Sequence, residues 1–125
     1  MKCLVVDDSA TMRRIVVNAL KSIGYDNVVE AGDGSDALQK CDTTIELVIT
    51  DWNMPVMGGL EFVKGVRANA QHAKTPILMV TTRSVKEDIM QAVEAGVSGY
   101  ILKPFTPQVL KEKIDQILSL TSGSA

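Results

Sequence analysis

Short apolar runs alternate along the chain with stretches in which apolar residues return every three or four positions. Cys3-Leu4-Val5-Val6 is a continuous apolar run that stops abruptly at Asp7-Asp8. Met12, Ile15, Val16, Ala19, Leu20 and Ile23 then follow helical spacing and predict a helix with one buried face. Ser9 or Asp8 can cap its start and Gly24 can end it. The same alternation repeats down the chain. Asn27–Ala31 reads as a second strand, and Ala37, Leu38 and Cys41 as a short helix after the Gly32-Asp33-Gly34 turn. Leu47–Thr50 is a third strand ending on Asp51. A loop from Pro55 to Gly59 leads to a helix marked by Leu60, Val63 and Val66. Ile77–Val80 is a fourth strand ending at Thr81-Thr82, and Ile89, Ala92 and Val93 mark a helix that stops near Gly96. Gly99–Leu102 is the fifth strand. Thr106-Pro107 then supplies a hydroxyl cap and a proline at the first helical position, ahead of a stripe of Leu110, Ile114, Ile117 and Leu118.

Strands alternating with helices predict a parallel sheet covered on both faces, and strands that are apolar throughout agree with burial on both sides. Right-handed crossovers then bring every strand's carboxyl end to one edge. At 125 residues the chain is one domain. Apolar residues make up 46% and charged residues 22%, which is globular composition. The net charge of −2 lacks the basic excess of a domain that grips nucleic-acid phosphates. No apolar run approaches the roughly 20 residues of a membrane span, and no signal region precedes the first strand. Cys3 and Cys41 form no C-x-x-C pair and read as small buried hydrophobes in a reducing cytoplasm.

The chemistry collects at the carboxyl edge. Asp7 and Asp8 follow the first strand, Asp51 the third, Thr81 the fourth and Lys103 the fifth. Ligands of open α/β sheets bind at this edge, where strand order reverses. Taken singly, each residue has an ordinary explanation: capping acids, a turn residue, a strand-end hydroxyl, a surface lysine. Together they predict one small site. Three carboxylates repel one another, and Lys103 offsets only one charge. A hard divalent cation with oxygen ligands fits the remainder, and magnesium fits best. A carboxylate held beside such an ion and a lysine is placed to attack phosphorus and become an aspartyl phosphate.

The stretches Leu4-Val5-Val6-Asp7-Asp8, Thr50-Asp51-Trp52-Asn53-Met54-Pro55, Met79-Val80-Thr81 and Lys103-Pro104-Phe105 resemble the receiver domain of bacterial two-component response regulators over essentially the whole chain. The finer resemblance is to the chemotaxis receivers. It is carried by Thr11-Met12-Arg13-Arg14-Ile15-Val16, by Asp51–Pro55, and by Ser98-Gly99-Tyr100 leading to Lys103-Pro104-Phe105-Thr106. The resemblance implies a flavodoxin-like (βα)5 fold with strand order 2-1-3-4-5 and a receiver domain over 1–120, after which the polar, small residues of 121–125 read as a flexible tail. It implies that Asp51 is the phosphoacceptor and that magnesium is held by Asp8, Asp51, the Asn53 main-chain carbonyl and, through water, Asp7. Lys103 and Thr81 stabilise the phosphoryl group, Thr81 and Tyr100 form a switch pair, and Asn53 and Arg83 set the rate of dephosphorylation. Lys103-Pro104 is expected to be cis. Implied partners are a histidine kinase as phosphodonor, the flagellar motor switch, and a phosphatase. Helix four, strand five and helix five form the readout face of a cytoplasmic monomer that acts on no external substrate.

Three positions depart from the family pattern: Gly58-Gly59 stands for a frequent Asp-Gly, Ser9 for a frequent aromatic, and Arg83 for an acid in the enteric chemotaxis receiver. Trp52 reads as a partly exposed ring and Arg13-Arg14 as a solvated face that in this family meets the kinase's phosphohistidine domain. His72 reads as a loop residue with no second metal ligand. Alternatives from the same residues are a single-domain receiver in another phosphorelay, a phosphate sink, or an Asp-dependent phosphatase. The phosphatase needs a second acid two residues after Asp51, where Asn53 stands. A flavodoxin lacks its phosphate loop here, and a P-loop nucleotidase lacks G-x-x-x-x-G-K-[ST].

Overall fold

The computed structural model describes the backbone of residues 1–123 and the side chains of residues 1–119. Strands β1 (Lys2–Val6), β2 (Asn27–Ala31), β3 (Leu47–Thr50), β4 (Ile77–Thr81) and β5 (Gly99–Leu102) alternate with helices α1 (Ala10–Ser22), α2 (Gly34–Lys40), α3 (Gly59–Ala68), α4 (Lys86–Ala95) and α5 (Pro107–Gly123). The strands form one parallel sheet in the order β2-β1-β3-β4-β5. The fold is therefore the flavodoxin-like (βα)5 architecture with order 2-1-3-4-5. The expected flexible tail, 121–125, ends on residues 124 and 125, which lie outside the described residues; the α5 backbone runs to Gly123.

Because strand side chains alternate between faces, the core divides in two. Leu4, Val6, Val48, Ile77 and Met79 face one way and meet Phe62, Val63 and Val66 of α3 and Ala92 of α4. Cys3, Val5, Ile49, Leu78 and Val80 face the other way and meet Val16 and Leu20 of α1 and Leu110, Ile114 and Ile117 of α5. Both cysteines are buried thiols. Among the described residues no helix is long and apolar enough to cross a membrane.

Helix ends follow local chemistry. The Ser9 hydroxyl accepts from the Met12 N–H, and the Asp33 carboxylate from the Asp36 N–H. Gly24 and Gly96 take the left-handed φ of +102° and +116° that terminates α1 and α4. Thr106 caps α5 through the Val109 N–H. The stripes of two helices shift from their expected phase. Ile15 is 46% exposed and Val93 59% exposed, each about 100° around its helix from the buried Val16 or Ala92. On α1, Val17 enters the core instead of Ile15, and on α3 Phe62 is fully buried although the expected marks are Leu60, Val63 and Val66.

Candidate phosphoryl and metal site

Register sets the site. Val6 lies opposite both Ala31 and Thr50, and Thr81 lies opposite Leu102. The next residues of the neighbouring strands β1 and β3, Asp7 and Asp51, therefore emerge side by side, and Lys103 leaves the same edge from β5, across β4. The ladder continues one step: Asp7 N–H donates to the Ala31 carbonyl, Asp51 N–H to Val6, and Lys103 N–H to Thr81. One carboxylate oxygen each from Asp7, Asp8 and Asp51 lies within 4.8 Å of the others.

The Lys103 ammonium bridges two of them, at 3.0 Å from Asp7 Oδ2 and 3.2 Å from Asp51 Oδ2. Its side chain is 9% exposed, so this pair of contacts is poorly screened by solvent. Asp7 Oδ1 accepts from the Ser9 N–H, and Asp51 Oδ1 from the Trp52 N–H at 2.7 Å. Among the described residues nothing bonds the exposed Asp8 carboxylate. Three carboxylates against one ammonium leave the cluster acidic and all-oxygen, a donor set that fits a hard divalent cation. Lys103-Pro104 is a cis peptide.

Thr81 is fully buried; its Oγ1 accepts from the Arg83 N–H at 3.3 Å, which leaves the hydroxyl proton to donate elsewhere. Tyr100 is half-buried, and its hydroxyl donates to the Arg83 carbonyl at 2.8 Å. Burial, then the nearby Asp88 carboxylate, raise the Tyr100 phenol above its ordinary range, so it stays a donor at neutral pH.

Arg83 spans the other side of the site. Its Nη2 donates to Asn53 Oδ1 at 2.9 Å, its Nη1 to Asp88 Oδ2 at 3.2 Å, and its guanidinium lies 4.6 Å from the centre of the Trp52 ring. Trp52 is thus 9% exposed, a core residue rather than the partly exposed ring its sequence position suggests. The cause is long-range: Gly59 lets α3 begin against the Asp51–Trp52 backbone, and Arg83 covers the ring.

One further expectation is corrected, and one residue gains a setting the sequence did not give. Arg13 is not simply solvated: its Nη1 donates to the Asp7 carbonyl at 2.7 Å, and its Nε pairs with Glu30. His72 is buried, between the Thr75 hydroxyl and the Asp42 carbonyl, each 2.8 Å away.

An open depression lined by Asp8, Trp52, Asn53, Met54, Glu61 and Lys64 leads from the site to solvent. Its rim is the Pro55–Met57 turn. There the Met57 N–H donates to the Pro55 carbonyl and Val56 takes φ +66° while 86% exposed. The Met57 carbonyl accepts from the Gly34 N–H, tying this rim to the start of α2.

A strand-edge acid cluster bridged by a lysine, on this sheet order, is the arrangement of receiver domains. The model of the response regulator receiver domain family matches residues 3–115, and the chain belongs to that family. It is 53% identical over 125 residues to the chemotaxis protein CheY homolog of Campylobacter jejuni, covering 98% of this chain and 96% of that one. It is 52% identical to the chemotaxis protein CheY1 of Helicobacter pylori over 120 residues, covering 94% of this chain and 97% of that one. The solved structure of Vibrio cholerae chemotaxis protein CheY4 superposes with a TM-score of 0.86 at 41% identity, covering 93% of this chain and 97% of that one. Within the family the chain is a response regulator of the CheY type.

Proposed function

We propose that Asp51 is the phosphoacceptor and that phosphorylation there changes the affinity of the α4–β5–α5 face for a flagellar motor switch protein. The carrying observation is the convergence of Asp7, Asp8, Asp51 and Lys103 at one edge of the sheet. In the transfer, an Asp51 carboxylate oxygen attacks phosphorus, the P–N bond to a kinase histidine breaks, and the imidazole leaves with a proton. Lys103 already holds Asp51 Oδ2 and stays with the phosphoryl oxygens as charge moves onto them. The Thr81 hydroxyl donates its unspent proton to the new group. Asp7, Asp8, Asp51 and the Asn53 main-chain carbonyl would hold magnesium, which supplies further neutralisation of the equatorial oxygens.

Tyr100 and Thr81 both meet the Arg83 backbone, so a shift of one reaches the other. The face they adjoin exposes Met90, Val93, Leu102 and Val109, an apolar surface suited to a partner helix. A tenfold affinity change across it needs only about 1.4 kcal/mol. Asn53 and Arg83 flank the site and are proposed to set the phosphoryl lifetime. An assisting phosphatase, a monomeric state, a cytoplasmic location and the lack of an external substrate complete the proposal. The Asn53 carboxamide, occupied by Arg83, cannot serve as the second acid of an Asp-dependent phosphatase.

Incubation with a small acyl phosphate and magnesium is expected to add one phosphoryl group by intact mass, labile to hydroxylamine and lost in Asp51→Asn. Modification of a serine or threonine would overturn this assignment. A flagellar switch peptide should be captured better with beryllofluoride than without it. Equal capture would favour a phosphorelay intermediate or phosphate sink.

A further inference from the structure

We infer that Arg83 is a positioning residue that couples the phosphorylation loop to the start of α4, by a side-chain route separate from the Thr81–Tyr100 pair. The inference rests on Asp51 being the acceptor. One guanidinium contacts both residues that follow Asp51: the Trp52 ring at 4.6 Å and Asn53 Oδ1 at 2.9 Å. Its opposite fork holds Asp88 Oδ2 at 3.2 Å, in the first turn of α4. The amides of Asp88 and Ile89 bond the Val85 carbonyl, so the acid that Arg83 grips belongs to the turn that closes this helix end.

Arg83 is pulled from two sides. Asp88 anchors it toward α4, and the acid cluster lies beyond Asn53. Its Nε is buried with no acceptor among the described residues, so the guanidinium holds an unspent donor and gains from any added acceptor nearby. Phosphorylation replaces the single carboxylate charge of Asp51 with a phosphoryl group carrying about two negative charges, set further out from the strand end. That charge draws the guanidinium away from Asp88 and loosens the first turn of α4. By reciprocity, whatever weakens the Arg83–Asp88 pair must favour the phosphorylated state by the same factor. The role needs a planar fork with a stacking face, which lysine lacks.

The test is a double-mutant cycle on Arg83→Lys and Asp88→Asn. Trp52 fluorescence reads beryllofluoride affinity in magnesium, and hydrogen exchange reads the amides of residues 86–90. Beryllofluoride should accelerate exchange there in the parent chain and not in Arg83→Lys. Asp88→Asn should tighten beryllofluoride binding about three- to tenfold in the parent background and less than twofold beside Arg83→Lys. Parent-like acceleration in Arg83→Lys, or an Asp88→Asn effect of equal size in both backgrounds, would overturn the coupling. Equal uptake of beryllofluoride by Asp51→Asn would instead overturn the acceptor assignment, and the coupling with it.

Discussion

Asp8 shows how one residue trades stability for binding. Asp7 and Asp51 share the Lys103 ammonium, while Asp8 adds a third negative charge with no partner among the described residues. Without a cation its charge repels its neighbours; with one, as proposed, it would serve as a ligand. Asp8→Asn should therefore stabilise the metal-free protein by about 0.5–1 kcal/mol. The same change should weaken magnesium binding at least tenfold. Urea midpoints without metal and a Trp52 fluorescence titration measure the two effects, which must have opposite signs. The acid positions were legible in sequence because each follows an apolar strand. The setting of Trp52 was not: its cover comes from Arg83, 31 positions away, and no periodicity encodes a cation placed over a ring.

At the scale of elements, the junction of β3 with α3 is the tightest part of the site. A Cβ on Gly59 would run into the Asp51 carbonyl oxygen and stand 2.8 Å from the Trp52 Cα, both backbone atoms. Gly59→Ala should therefore push α3 outward, costing about 1–3 kcal/mol and weakening metal binding as Asp51 moves. Chemical denaturation and the same fluorescence titration check both. Strands were legible almost to the residue, since a run such as Leu47-Val48-Ile49-Thr50 has no other use than burial on both faces. Helix phase was less legible. Ile15 and Val93 fit a three-and-four spacing, yet Val16 and Ala92 fix the centre of each buried stripe and leave them outside. On α4 this places apolar residues on the proposed partner face, where a rule that apolar means buried fails.

For the whole molecule, alkaline pH should be more damaging than its charge suggests. Burial pushes the Cys3 thiol up from 9.0 to about 11, and the Tyr25 and Tyr100 phenols are raised above 10.0, again chiefly by burial. Each group favours its neutral form when folded. That stability is fully present below the unfolded values and is lost as pH rises through the folded ones. Urea midpoints should fall between pH 9 and 11, and less steeply in Cys3→Val or Tyr100→Phe. The strand order could be anticipated only from family resemblance, because alternation gives a parallel sheet but not which strands are neighbours.

The Pro55–Met57 turn carries a last consequence. A β-branched residue at φ +66° in open solvent has chosen neither its conformation nor its exposure. The Met57–Pro55 and Gly34–Met57 hydrogen bonds impose the shape from both sides. The opening of the pocket is thus held in shape by main-chain bonds, so an ion or phosphodonor arriving as proposed would find little chain left to order.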